Sequence, residues 1–474
     1  MRVLLMSMPD TADNVDFVIR LPNLAVISLA GNLPAEHEVK VLDLVLFKPK
    51  IRRRIEETLD EFRPQLVGLS AMTFQFGTLL RIARLVRERY PEIKIAAGGY
   101  HAALMCRELT ASPDLPLDFI VRAEGEETFS ELVSEMEAPA PDLSRVAGLS
   151  FRQNGTWRHN PDRPLLDITR IHPPNRDARL AGGFRFLDMP ADVAETSRGC
   201  PSNCKFCSIT QMYGRSFRRY SVERIIADLR DIRSRGTRAV FFVDDNITYD
   251  VEHFRRICQA IVHHGLNDML YIVQVTAAAM ATNPELVTDM DQANFRYVFV
   301  GFESMLPQDL KFAKKPTNPE INRRAAAALR QHRMAIIAGF INGFPDDDKS
   351  TIRKSWHLLF KLKPDVVFSQ CLTPYPRTEL RREMLAAGLV TNVDDFSKYD
   401  GFTCNVRTRY ISQDEIYRQQ KKWAFLGNFR PSLVVGNYFL RHHFGYFITA
   451  VIKTMMVNIF NLLSARQRKF RLDM

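Results

Sequence analysis

The chain has 474 residues, 46% of them hydrophobic and 25% charged, with no low-complexity segment or short-period repeat, which fits two or three globular domains and excludes a fibrous or disordered protein. A net charge of +11 raises nucleic acid or a membrane surface as partners, but 54 acidic residues stand beside 65 basic ones and no large part is a purely basic arm, so no nucleic-acid partner is expected. Seven cysteines, an odd number with three in one cluster and no secretory signal before the first strand, exclude a disulfide framework and point to a reducing cytoplasm.

The N-terminal third alternates short apolar runs with amphipathic ones. Strands are predicted over 2–6, 39–43, 66–70, 93–97 and 119–121, and helices over 51–62, 76–90 and 127–137. That alternation implies a parallel sheet wrapped by helices, whose ligands bind at the carboxyl ends of the strands. Three turns fall at such ends: Ser70 to Thr73, Gly98-Gly99-Tyr100-His101, and Glu124-Gly125-Glu126. Glycine lets a ligand approach the backbone, and small hydroxyls donate to phosphate or amide groups. A proline break over 138–142 follows, then a hairpin over 148–157 turning at Asn154-Gly155, then five scattered prolines to Pro190. This stretch reads as a linker packed against the domains.

Cys200, Cys204 and Cys207 lie within eight residues, after a strand predicted over 193–197 and before a helix over 222–235. Thiols so close turn toward one centre, and soft thiolates select iron–sulfur clusters, zinc or copper(I). A structural zinc site normally takes four protein ligands, whereas a four-iron cluster on three cysteines keeps one iron open. The blander alternatives are a zinc knuckle or three reduced structural thiols. Further strands are predicted over 239–243, 270–275, 297–301, 335–341 and 366–372, making six with the first. Polar residues stand at their ends against the apolar pattern: Asp244-Asp245-Asn246, Glu303-Ser304, and the turn Thr373-Pro-Tyr-Pro-Arg377-Thr378. Cys258, Cys371 and Cys404 read as small apolar fillers.

A helix is predicted over 414–427. The stretch 442–465 has 24 residues with one charge, Lys453, and is flanked by arginines. A central lysine costs about 2.5–3.5 kcal/mol in a true membrane span. The stretch therefore reads as an amphipathic helix on a membrane surface or one packed on its own domain.

The CxxxCxΦC spacing after a strand, with Phe206 as the aromatic, resembles the radical S-adenosylmethionine (radical SAM) superfamily. The resemblance implies that Cys200, Cys204 and Cys207 hold a [4Fe–4S] cluster whose open iron chelates the amino and carboxylate groups of SAM. One electron then cleaves SAM to methionine and a 5′-deoxyadenosyl radical. It implies a partial (β/α)6 barrel with Asp245 near the SAM amino group, Glu303 near the ribose or amino group, Gly339 on the adenine-side strand and Phe206 against the adenine. The turn at 373–378 resembles a Thr-Pro-x-Pro-Gly-Thr turn, with Arg377 in place of glycine. The turns at Ser70 and Thr73, Gly98-Gly99 and Glu124-Gly125 resemble the cobalamin-binding domain of cobalamin-dependent members. There they hold the nucleotide tail of cobalamin. The DxHxxG motif that supplies a cobalt ligand elsewhere is absent from the first loop. His101 follows the wrong strand for that role and reads as a turn histidine beside the corrin or solvent.

The expected organisation is α/β: a Rossmann-like cobalamin-binding domain over 1–140, a linker over 141–191, a radical SAM barrel over 192–405 and a helical region over 406–474. The implied cofactors are the [4Fe–4S] cluster, SAM and cobalamin. The expected activity is C-methylation of an unactivated carbon on a small-molecule or lipid-like substrate, with an electron donor such as flavodoxin or ferredoxin. No acid or base beyond the cluster ligands is required, because the cofactors carry the chemistry. The expected location is the cytoplasm, at the inner membrane surface. The alternatives are a cyclase of the anaerobic porphyrin-ester type and a non-catalytic corrinoid-binding protein. Transfer RNA methylthiotransfer needs three further cluster cysteines, and only Cys106 precedes Cys200.

Overall fold

A computed structural model describes residues 1–11 and 18–428, with residues 445, 448, 449 and 452 beyond them. The rest of the predicted 442–465 helix and its basic flank lie outside the described residues. The chain forms two compact units, one built mainly from residues up to Phe184 and one from Arg185 onward, to which Ile19 also belongs.

In the first unit five strands run parallel: β1 (Arg2–Ser7), β2 (Glu38–Asp43), β3 (Leu66–Ser70), β4 (Lys94–Gly98) and β5 (Phe119–Val121). Their order is β2-β1-β3-β4-β5. Strand β1 is apolar on both faces because both are covered. Leu4 and Met6 enter one core with helices α2 (Ile51–Phe62) and α3 (Phe76–Arg89). Val3 and Leu5 enter the other with α1 (Leu24–Gly31) and α4 (Glu126–Glu137). Helix α1 was not predicted. Its run Leu-Ala-Val-Ile-Ser-Leu-Ala-Gly has no polar face, so the helical period is hidden, and its start is fixed by Asn23, whose side chain accepts from Val26 N–H.

The predicted hairpin forms from β6 (Leu149–Gln153) and β7 (Thr156–His159). Asn154 at φ 51° and Gly155 at φ 81° give the two left-handed residues that a tight two-residue hairpin needs. Strand β6 pairs antiparallel with β5, so the hairpin extends the sheet.

The second unit holds six parallel strands side by side in chain order: β8 (Met189–Ala194), β9 (Ala239–Phe242), β10 (Leu270–Val275), β11 (Phe295–Glu303), β12 (Ala335–Asn342) and β13 (Val366–Cys371). Beyond β8 lie Arg185–Phe186 and, at the outer edge, Ile19–Arg20. This is a half-barrel flanked by helices such as α5 (Val222–Ser234), α6 (Val251–His263) and α7 (Lys349–Lys361), with α8 (Gln413–Asn428) beside β13. Phe340 on β12 meets Trp356 of α7 edge-on at 5.0 Å, so its face of the strand looks outward to the helices. The strand predicted over 193–197 lies earlier, at Met189–Ala194. The chain leaves the sheet at Glu195, and Ser197–Arg198 pairs instead with Arg218–Arg219.

Candidate functional site

The cysteine loop begins where β8 ends, and the end of β9 anchors it. Asp244 accepts hydrogen bonds from Thr196 N–H at 3.1 Å and from the hydroxyls of Thr196 and Ser197, each at 2.6 Å. Asp245 accepts from Gly199 N–H at 2.8 Å, and the Asn246 amide donates to Cys200 Sγ at 3.5 Å. Gly199 is at φ 87°, and a Cβ there would lie 2.5 Å from the Ser216 carbonyl oxygen, so only glycine fits. The loop closes with Cys207 N–H on the Cys204 carbonyl at 3.1 Å.

Burial dominates the electrostatics. It pushes Asp244 up to about 7 and Asp245 up to about 6, against the hydrogen bonds that pull them down. It pushes the Cys207 thiol up to about 12, with the sulfurs of Cys204 and Cys200 adding to the rise. A bound cation reverses that logic and holds such thiols as thiolates. All three cysteines are free and half-buried. Among the described residues no three His, Cys, Asp or Glu side chains form a single-ion site. An iron–sulfur cluster, with sulfides between its irons, sets its cysteines wider than one zinc does. The donor set, its loop and the N–H aimed at a sulfur fit a cluster.

Glu303 sits at φ 62°, where the pairing of β11 with β12 shifts register. Its carboxylate pairs with Lys315 Nζ at 2.7 Å, both largely buried. Burial alone would lower the Lys315 ammonium, but Glu303 and the sulfurs of Cys204 and Cys207 outweigh it and raise it. The pair lies over Gly301, where a Cβ would come within 2.6 Å of Glu303 Oε1 and 2.9 Å of Lys315 Nζ. Lys315 was missed from the sequence, where it stands in a lysine-rich turn with nothing to distinguish it.

Phe206 and Gly339 have packing partners. Phe206 lies against a cluster that includes Ile341, Phe344 and Leu372. A Cβ on Gly339 would meet the Phe299 ring at 2.8 Å. The rings of Phe299 and Phe368 meet at 5.7 Å from the strands on either side of that glycine.

In the first unit the strand order reverses direction between β1 and β3, the switch point where such sheets take ligands. Ser7, Ser70 and Gly98 lie side by side there in register. Nothing lies within 3.8 Å of a Cβ built on Gly98, whereas Gly99, at φ 89°, would drive its Cβ to 2.5 Å from the Ala71 carbonyl oxygen. Thr73 is buried in the turn that leads into α3. Asp10 in the first loop takes a 3.0 Å hydrogen bond from Thr78 Oγ1, while its Oδ2 is buried with no partner among the described residues. The open Gly98 row and this orphaned oxygen fit a ligand laid across the strand ends. Glu124 accepts from Leu166 N–H at 3.0 Å, and a Cβ on Gly125 would meet Leu29 at 2.9 Å, so both residues also hold neighbouring chain in place. His101 does not face solvent from a turn. It lies in the short helix Tyr100–Leu104, 2% exposed, its ring 4.6 Å from that of Phe76. Burial pushes it down to about 4.

Comparison with known proteins agrees with both halves. The family described as the B12 binding domain matches residues 14–133, and the radical SAM superfamily matches residues 194–359. An uncharacterised methyltransferase of Pyrococcus horikoshii is 28% identical over 96% of this chain and 98% of its own. The hopanoid C-3 methylase of Methylococcus capsulatus is 28% identical over 76% of this chain and 68% of its own. The structure of the radical SAM methyltransferase TsrM from Kitasatospora setae, with cobalamin and a [4Fe–4S] cluster bound, shares the fold at a TM-score of 0.69 and 18% identity, over 88% of this chain and 84% of that one. The chain belongs to the radical SAM enzymes that carry an N-terminal cobalamin-binding domain.

Proposed function

We propose that this enzyme transfers a methyl group to an unactivated carbon of a small molecule, using a [4Fe–4S] cluster, SAM and cobalamin. The observation that carries the reading is the three-cysteine loop held by Asp244, Asp245 and Asn246 in a chain that also carries a B12-binding domain. Bound together, these groups would supply hydrogen abstraction by radical chemistry and a carrier for the methyl group.

The protein's own residues bind and orient. Cys200, Cys204 and Cys207 hold the cluster, and Asn246 donates to the first of them. Asp245 holds the loop through Gly199 and faces the amino end of SAM. Glu303 takes the ribose or amino group, steadied by Lys315, and Phe206 and Gly339 border the adenine. Ser70, Thr73, Gly98 and Gly99 receive the corrinoid tail, with Glu124 and Gly125 fixing the turn beside it. The electron comes from a small reductant such as flavodoxin or ferredoxin.

The substrate is lipid-like, and the tail docks at the inner membrane surface. Among the described residues no helix is long and apolar enough to cross a membrane, while Ile448 and Ile452 are 40% and 51% exposed. Removal of residues 442–474 should release the protein from anionic vesicles at low salt and leave its iron in place.

The deciding experiment is anaerobic. Reconstituted protein should bind about four irons per chain. Replacing all three loop cysteines by alanine should abolish the brown absorbance and 5′-deoxyadenosine formation. A triple variant that still cleaves SAM reductively overturns the reading.

A further inference from the structure

The inner face of the half-barrel has a chemical character of its own. Phe340 looks outward to Trp356, so the alternate positions of β12, including Ile337 and Gly339, look inward. Register carries that face across the sheet: Gln274 pairs with Phe299, Phe299 with Ile337, Gly339 with Phe368 and Ile341 with Gln370. The inward residues Gln274, Phe299, Ile337, Phe368 and Gln370 are half-exposed, while their outward neighbours Val300, Ala338 and Val367 are buried under helices. Solvent therefore reaches the inner face.

That face is mainly aromatic and aliphatic, with the uncharged amides of Gln274 and Gln370 set into it. Phe368 meets Phe299 at 5.7 Å and Phe402 at 5.0 Å, both edge-to-face, and the three rings form a continuous wall. From Tyr297 onward, the one charged inward group on β11 to β13 is Glu303, and Lys315 neutralises it. Above the rings stand two uncharged polar groups. The Gln370 amide nitrogen and the Tyr375 hydroxyl lie 2.7 and 3.6 Å from the point a Cβ on Gly401 would take, so they share one spot. Neither side chain has a hydrogen-bond partner among the described residues. Asp400 beside them is engaged by Phe402 N–H, Thr403 N–H and the Thr403 hydroxyl.

We propose that this wall is the substrate-binding surface, and that it takes a neutral, mainly hydrocarbon molecule bearing an uncharged oxygen function. The hydrocarbon packs on Phe299, Phe368 and Phe402, and the oxygen meets Gln370 and Tyr375. Half-exposed aromatic rings recognise apolar surface. An amide and a phenol supply both a donor and an acceptor, as a hydroxyl or carbonyl needs. Among the described residues of β11 to β13 an anionic substrate would find no inward cation, with Lys315 beside them paired to Glu303, and would meet a carboxylate, Asp400, at the rim. The inference rests on the methyl-transfer reading above.

The test uses the full chain, reconstituted anaerobically with cluster and cobalamin, and SAM carrying a deuterated methyl group. The probes are extracts of the cells that make the protein, separated into neutral lipids, acidic lipids and aqueous metabolites. Label should enter the neutral-lipid fraction. Label confined to the acidic or aqueous fraction overturns this inference and leaves methyl transfer standing. Label in no fraction, with 5′-deoxyadenosine still formed, removes methyl transfer and this inference together. With the labelled lipid as substrate, Phe368→Ala and Gln370→Leu should each raise KM ~10-fold, with wild-type iron content. Gln370→Leu keeps the bulk of the side chain, so it reports even if the phenylalanine variant fails to fold. An unchanged KM in Gln370→Leu would remove the polar half of the site. An unchanged KM in a folded Phe368→Ala would remove the apolar half.

Discussion

The side-chain amide of Asn246 donates to Cys200 Sγ at 3.5 Å, joining the end of one barrel strand to the loop that follows another. A hydrogen bond to a cluster ligand stabilises the more negative, reduced state, and one such bond is worth about 1 kcal/mol, or roughly 40 mV for one electron. Asn246→Leu should make the cluster potential more negative by about that amount, with iron content unchanged. Potentiometric titration followed by electron paramagnetic resonance reads the shift.

Gly199 supplies a sharper structural test. Its φ of 87° and the 2.5 Å approach to the Ser216 carbonyl leave no room for a methyl group. Gly199→Ala should strain the loop by about 1–3 kcal/mol and lower iron per chain well below wild type. The obstacle is backbone, so adding Ser216→Gly should not rescue it. Iron and sulfide analysis decides the matter.

The two adjacent glycines of the first unit should behave differently. A Cβ on Gly98 would make only ordinary contact with Val121, at 3.8 Å, whereas one on Gly99 would collide with backbone. Gly98→Leu should weaken corrinoid binding ~10-fold or more while leaving the melting temperature near wild type, whereas Gly99→Ala should lower both. Absorbance titration with hydroxocobalamin and thermal melts of the same samples separate the two effects.

Asp347 gives a pH dependence of known sign. Its carboxylate accepts from Gly343 N–H at 3.0 Å and Phe344 N–H at 2.9 Å, and from the Thr351 hydroxyl. Burial first, then the neighbouring Asp309 charge, pushes it up to about 7 from an ordinary 3.8. Between those values the native state binds a proton that the unfolded state does not, so stability falls as pH rises from about 4 to 7. A pKa raised by one unit is worth about 1.4 kcal/mol. Asp347→Asn should flatten the fall in melting temperature over that window. A variant whose slope equals that of wild type would show that Asp347 does not carry the effect.

The cysteine loop was legible because its information is local: three thiols in eight residues need no distant partner to be recognised. The strands were legible for a similar reason, since a run buried on both faces is apolar throughout. What stayed hidden depends on contacts across the chain. Asp244 is matched to Thr196, 48 positions away, and no periodicity shows that its first task is to hold the loop. Glu124 meets Leu166, and Gly125 makes room for Leu29. The length of β11 was underestimated at its start because Arg296 interrupts the apolar run, although the strand continues from Phe295.

The outermost strand of the second sheet, Ile19–Arg20, is made well before the rest of that sheet, whose other strands all come from residue 185 onward. On the ribosome, the first sheet can assemble from residues 2–159 while the short strand Ile19–Arg20 still lacks the surface it belongs to. Folding unit by unit, amino terminus first, is therefore broken at one point. The seam has a genetic counterpart. A cut near residue 185 gives a second fragment without its own edge, so swapping this barrel between relatives requires moving two pieces of the gene rather than one.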